Sequence, residues 1–170
     1  MLYILLFLFQ WHVNRLSVLK REIMKQENFK NQKVFVVDDN EMTALLYEQF
    51  IRNLGFNDVH TYNDGMSSLN ALIDEPKIIF LDQDMGKMDG LEVLKKIKRF
   101  DPDIYVVFVS GQEEIETATK SLKIGAFDYI VKGPDDTQKI EEVLIKIDNV
   151  QEMLKSRKRG PVRKFLSLII

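Results

Sequence analysis

The sequence predicts an α/β protein in which a five-stranded parallel sheet is doubly wound by helices, a (βα)5 arrangement with strand order 2-1-3-4-5. Three observations predict it. Short uninterrupted apolar runs, such as Val34-Phe35-Val36-Val37 and Ile78-Ile79-Phe80-Leu81, read as strands buried on both faces. They alternate with longer segments whose apolar residues recur every three or four positions, the period of a helix. The connections are short and carry Gly, Pro, Asn or Asp, which favours right-handed crossovers within one sheet.

Each element follows from local chemistry. Lys33 to Val37 forms the first strand and stops at Asp38-Asp39. Asn40 is suited to cap a helix whose Met42, Leu45, Leu46, Phe50 and Leu54 are expected to make the buried face, with Gly55 ending it. A short strand near 57–62 precedes the turn Asn63-Asp64-Gly65 and a helix to about Asp74, closed by Pro76. The third strand, Ile78 to Leu81, ends in Asp82. A glycine-bearing loop to Asp89-Gly90 then leads into a helix carrying Leu91, Val93, Leu94, Ile97 and Phe100. Ile104 to Val109 is the fourth strand, stopping at Ser110-Gly111, and Ile115, Ala118 and Leu122 mark a helix that ends at Gly125. Phe127 to Val131 is the fifth strand, with Lys132 at its tip. The last helix places Ile140, Val143, Leu144, Ile147, Val150 and Leu154 on one face. The order 2-1-3-4-5 is that of the flavodoxin-like version of this architecture, whose chemistry sits at the C-terminal ends of the strands where strands 1 and 3 lie side by side.

Composition bounds the function. A chain of 170 residues, 45% hydrophobic and 29% charged, matches one soluble domain with tails. Its net charge of −2 offers no electrostatic case for binding nucleic acid. The absence of cysteine excludes disulfides, thiolate metal sites and thiol nucleophiles, and fits a cytoplasmic location. His12 and His60 are too few and too far apart to suggest a histidine metal centre.

At the strand tips the chemistry is acidic. Asp38, Asp39 and Asp82 would crowd together, with Ser110 and Lys132 on the next two strands. Carboxylates at close range repel and call for a cation, and an all-oxygen cup suits Mg²⁺ better than a softer metal. Taken singly, each residue has a plainer role: Asp38-Asp39 as a strand-end turn, Ser110 as a helix cap, Lys132 as a solvated loop residue, Tyr129 as a half-buried strand aromatic. Their joint arrival at the tips of strands one, three, four and five favours a common site.

The segment Asp82-Gln83-Asp84-Met85-Gly86-Lys87-Met88-Asp89-Gly90 resembles the phosphoacceptor segment of bacterial response-regulator receiver domains, D-x-x-M-P-x-M-D-G, over a likeness that spans about residues 33–154. The resemblance implies a phosphoryl group accepted on Asp82 from a sensor histidine kinase or a histidine phosphotransfer protein. It implies Mg²⁺ held by Asp39, Asp82 and the Asp84 backbone carbonyl, with Asp38 direct or through water. Lys132 would meet a phosphoryl oxygen, and Ser110 and Tyr129 would form the switch read by a protein effector. The domain would signal without being an enzyme in the ordinary sense; pairing with a second copy through the face from the fourth to the fifth helix is a separate hypothesis. Two departures stand out: Gly86 replaces the family's proline, and Gly133 follows Lys132 where the family places a proline, with Pro134 one residue later.

Alternatives are a pseudo-receiver that binds partners without being phosphorylated, and a haloacid-dehalogenase-type phosphohydrolase whose D-x-D pair Asp82-Gln83-Asp84 imitates. The hydrolase is disfavoured because a complete strand ending in two acids precedes that pair. The expected organisation is an apolar, amphipathic extension over 1–32, a receiver domain over 33–154, and a basic-apolar tail over 155–170. The apolar run at 1–9 is too short for a membrane span. A start at Met24 is favoured over a membrane-surface anchor or dimerising helix over 2–27. The tail is too short for a DNA reader, and a stand-alone regulator is the expectation.

Overall fold

A computed structural model describes residues 24, 26–86, 88–111 and 115–158. The expectations placed on 1–23 and on the tail beyond 158 lie outside these residues. Five strands form one parallel sheet: β1 (Val34–Val37), β2 (Val59–Tyr62), β3 (Ile78–Asp82), β4 (Tyr105–Ser110) and β5 (Asp128–Val131), in the order β2-β1-β3-β4-β5. The helices are α1 (Glu41–Asn53), α2 (Gly65–Asn70, continued by a 3-10 turn over Ala71–Asp74), α3 (Gly90–Phe100), α4 (Ile115–Ile124) and α5 (Asp136–Lys158). A two-residue ribbon, Asp84–Met85 against Met88–Asp89, lies between β3 and α3.

The continuous apolar runs are buried on both faces, as a parallel sheet covered by helices requires. Side chains alternate across the pleat, so each strand feeds two core layers. Val34, Val36, Ile78, Phe80, Val107 and Val109 pack with Ala44, Tyr47 and Ile51 of α1 and with Ile140, Leu144 and Ile147 of α5. Phe35, Val37, Ile79, Leu81, Val106 and Phe108 pack with Val93, Leu94 and Ile97 of α3. Burying one such side chain contributes about 2 kcal/mol.

Side-chain caps set the helix starts. Asn40 accepts from the Thr43 amide, Asp64 from Ser67 and Asp89 from Leu91, so three orphan donors are satisfied by the residue types expected at an N-cap.

Two helix faces differ from the sequence expectation. On α1, Met42, Leu45 and Leu46 are exposed, and the buried stripe is Ala44, Tyr47 and Ile51. On α4, Ile115 is 84% exposed and Leu122 is also exposed, while Thr117 and Ser121 face inward. In both cases two apolar or small-residue stripes run along the helix, and the sheet takes the one that fits closely. Phe100 at the end of α3 and Leu154 near the end of α5 are likewise exposed. At the opposite edge of the molecule, Gln32 and Gln151 exchange two amide hydrogen bonds of 2.7 and 3.0 Å, tying the segment before β1 to the far half of α5. Among the described residues no helix is long and apolar enough to cross a membrane.

Candidate functional site

The sheet register builds the site. Val37 lies opposite Leu81 on the neighbouring strand, so Asp38 and Asp82 emerge side by side. Asp82 is in register with Val109 of β4, and Ser110 with Val131 of β5. The Lys132 amide continues that ladder by donating to the Ser110 carbonyl at 2.8 Å. Asp38, Asp82, Ser110 and Lys132 therefore share one edge. Tyr129 sits two residues deeper, half-buried and opposite Phe108, against which its ring stacks at 6.1 Å.

Asp38 and Asp82 are buried, whereas Asp39 is exposed. One oxygen of each buried carboxylate accepts a backbone N–H two residues on: Asn40 to Asp38 Oδ1 and Asp84 to Asp82 Oδ2, both at 2.9 Å. The other oxygen of each meets the Lys132 ammonium, at 2.7 Å for Asp38 Oδ2 and 2.6 Å for Asp82 Oδ1. One cation is thus shared between two buried anions, and the amide each carboxylate accepts from holds its orientation.

Burial raises the Asp82 carboxyl pKa above its ordinary value, against the lowering effect of the Lys132 ammonium and the Asp84 amide. Burial works against the charge on Lys132, yet Asp38 and Asp82 together hold its pKa above the usual lysine value. The result is a desolvated carboxylate beside a firmly charged ammonium. Carboxylates are among the side chains that can form covalent intermediates in phosphoryl transfer.

Carboxylate oxygens of Asp38, Asp39 and Asp82 all lie within 4.8 Å of one another. Three hard anionic donors and no nitrogen or sulfur donor fit Mg²⁺.

Two residues close to this site carried no motif. Gln83, next to the expected phosphoacceptor, accepts a hydrogen bond from the Ser110 hydroxyl on Oε1 at 2.6 Å. Tyr47 of α1 donates its hydroxyl to Asp136 Oδ2, at the start of α5, also at 2.6 Å. Neither residue type is unusual at its position in sequence; only the folded neighbourhood marks them.

The departures from the family pattern leave Lys132 on both carboxylates. Gly86 has a φ of +64° at the turn of the small ribbon, a conformation open to glycine and closed to proline. Gly90 is needed for a different reason: a Cβ there would come within 2.4 Å of the Asp82 carbonyl oxygen.

Residues 34–144 match the response regulator receiver domain family. The chain is 33% identical over 112 residues to the transcriptional regulatory protein ZraR of Klebsiella oxytoca, covering 65% of this chain and 25% of that protein. It is 28% identical over 124 residues to the regulatory protein AtoC of Escherichia coli, covering 72% of this chain and 26% of that one. The chain thus spans about a quarter of the length of these curated relatives. Among solved structures, a CheY-like receiver domain protein of Methanospirillum hungatei superimposes with a TM-score of 0.67 at 24% identity, covering 76% of this chain and 99% of that one. NtrX of Brucella abortus superimposes with a TM-score of 0.65 at 30% identity, covering 75% and 30%. The flavodoxin-like order predicted from the sequence is the order of this sheet, and these structures share its fold.

Proposed function

The chain belongs to the response regulator receiver domain family, and we propose from this that Asp82 accepts a phosphoryl group from a phosphohistidine donor, a sensor histidine kinase or a histidine phosphotransfer protein. The observation that carries the reading is the Lys132 ammonium set between Asp82 and Asp38 at 2.6 and 2.7 Å on the C-terminal edge of the sheet. In the transfer an Asp82 carboxylate oxygen forms the new P–O bond while the P–N bond to the donor imidazole breaks. The electron pair leaves with the imidazole nitrogen, which takes a proton. Lys132 then exchanges part of its contact with Asp82 for a phosphoryl oxygen.

Asp39, Asp82 and the Asp84 backbone carbonyl would hold Mg²⁺, with Asp38 alongside. The ion offsets charge on the phosphoryl oxygens when bound.

Ser110 turns its hydroxyl from Gln83 to the phosphoryl group, and Tyr129 rotates in the space below it. The surface of α4, β5 and α5 changes with them and is offered to a protein effector or a second copy. Ile115 and Leu122 give that surface an apolar component. Met42, Leu45 and Leu46, exposed on α1 beside Asp39, suit contact with the phosphoryl donor. Such a donor places the domain in the cytoplasm. The stand-alone organisation expected from the sequence gains no support from relatives about four times as long as the matched segment.

Intact-protein mass after incubation with Mg²⁺ and acetyl phosphate tests the proposal. A gain of one phosphoryl group that requires Mg²⁺ and is absent from Asp82→Asn is expected. No gain with acetyl phosphate or a histidine donor, in folded protein, would leave a pseudo-receiver.

A further inference from the structure

Gly133, Pro134 and Asp135 separate Lys132 from the first turn of α5, and all three are exposed. A Cβ placed at Gly133 would meet nothing within 4 Å. The loop that carries Lys132 therefore has little packing of its own and is held at its ends. At the near end, the Lys132 amide is fixed to the Ser110 carbonyl at 2.8 Å. At the far end, the Asp136 amide closes a turn onto the Gly133 carbonyl at 3.1 Å, and the Asp136 carboxylate receives the Tyr47 hydroxyl at 2.6 Å.

Tyr47 is a fixed point in a way that Asp136 is not. It is 2% exposed, and its ring belongs to the core layer between the sheet, α1 and α5. A phenol so placed cannot turn to water, and a buried hydroxyl that loses its acceptor is costly, so Asp136 is drawn to wherever Tyr47 holds its proton. Burial, the Asp136 contact and the nearby charges of Asp38 and Asp82 all keep that hydroxyl protonated. α1 follows β1 after only three residues, so Tyr47 also relates the loop to the strand that supplies Asp38.

We propose that the Tyr47–Asp136 hydrogen bond is a latch that sets the far end of the Lys132 loop and so keeps the Lys132 ammonium on Asp82 and Asp38. Tyr47 and Asp136 are then positioning residues for the phosphoryl transfer proposed above, on which the catalytic half of this inference rests. Neither touches the reacting atoms. They act through Lys132.

The test uses the full chain with two readouts: the Lys132 Nζ resonance by NMR, which needs no phosphorylation, and the rate of acetyl-phosphate labelling with Mg²⁺. Tyr47→Phe keeps the ring and removes the donor. It is expected to move the Lys132 resonance toward that of a solvated lysine and to slow labelling about three- to tenfold, the worth of one hydrogen bond. Asp136→Ala should do the same, while Asp136→Asn, which retains an acceptor, should stay near the parent. In a Lys132→Ala background, Tyr47→Phe should cause no further loss, because the residue it acts through is gone. A Lys132 resonance unmoved in Tyr47→Phe, or an equal fold loss in both backgrounds, would overturn the latch and leave Tyr47 a core residue. A moved resonance in a protein that takes up no phosphate would uphold the latch and remove the phosphoryl-transfer reading instead.

Discussion

Ser110 donates its hydroxyl proton to the amide oxygen of Gln83 across 2.6 Å, and Ser110 has no exposure to solvent. Gln83 adjoins Asp82, so the acceptor that holds the serine lies one residue from the group expected to recruit it. A side chain that must turn from one acceptor to another is biased by the strength of the first. Gln83→Leu removes the acceptor at similar volume. Beryllium trifluoride, a phosphoryl mimic, is expected to bind this variant about fivefold more tightly than the parent by calorimetry in Mg²⁺, since one hydrogen bond of the resting arrangement no longer opposes the turn. Unchanged or weaker binding would mean that Gln83 does not restrain Ser110.

Asp82→Asn is expected to change the pH dependence of stability in one direction. Because burial raises the Asp82 pKa, the folded state binds that proton more tightly than the unfolded state does. Ionisation therefore subtracts stability as pH climbs from the ordinary value of 3.8 through the raised one, after which the loss is constant. The variant lacks this titration. Urea unfolding without Mg²⁺ should show its stability gaining on the parent across that window and then running parallel. A pH-independent difference would mean that Asp82 ionises as easily in the fold as out of it. At the alkaline end the sign is opposite for Lys132. Its raised pKa contributes stability that is full below 10.5 and lost as pH passes through the folded value.

Lys132→Ala leaves Asp38 and Asp82 as buried anions without their shared cation. Lys132 is a quarter exposed, so the expected cost is about 1–3 kcal/mol, below that of breaking a fully buried pair. Added Mg²⁺ should restore more stability to this variant than to the parent, because it supplies the missing charge to the same oxygens. Thermal unfolding with Mg²⁺ and with a chelator measures both. Equal shifts in the two proteins would place the ion away from these carboxylates.

Gly86→Pro returns the residue found in the family pattern and is nevertheless expected to destabilise the fold. Proline fixes φ near −65°, whereas Gly86 lies at +64°, so the ribbon turn between Met85 and Met88 must be rebuilt. A loss of about 1–2 kcal/mol by urea unfolding is expected. A stabilised variant would show that this turn adopts a second conformation at little cost.

Much of the fold was legible because buried parallel strands leave a simple trace. Val34 to Val37 and Ile78 to Leu81 are apolar throughout, and each ends in a residue with obvious chemistry. Register then follows from topology, which is why Asp38, Asp82, Ser110 and Lys132 were found together. The helices were harder. Met42, Leu45 and Leu46 satisfy the helical period as well as Ala44, Tyr47 and Ile51 do, and only contact with the sheet selects the second set. On α4 the inward stripe is Thr117 and Ser121, small and polar, which hydropathy cannot separate from a solvated face. Strand β2 starts at Val59, two residues later than expected, and Asn57 before it bonds instead to Lys30, Asn31 and Arg52. Gln83 and Tyr47 lay beyond reach because each matters through one hydrogen bond to a residue distant in sequence.

The paired amides of Gln32 and Gln151 give α5 a second anchorage beyond its packing on the sheet. The family match ends at 144, yet the helix runs on to Lys158 and is pinned to the body at Gln151. Any displacement of α5 at Gln151 must therefore either carry the segment before β1 with it or break both amide hydrogen bonds.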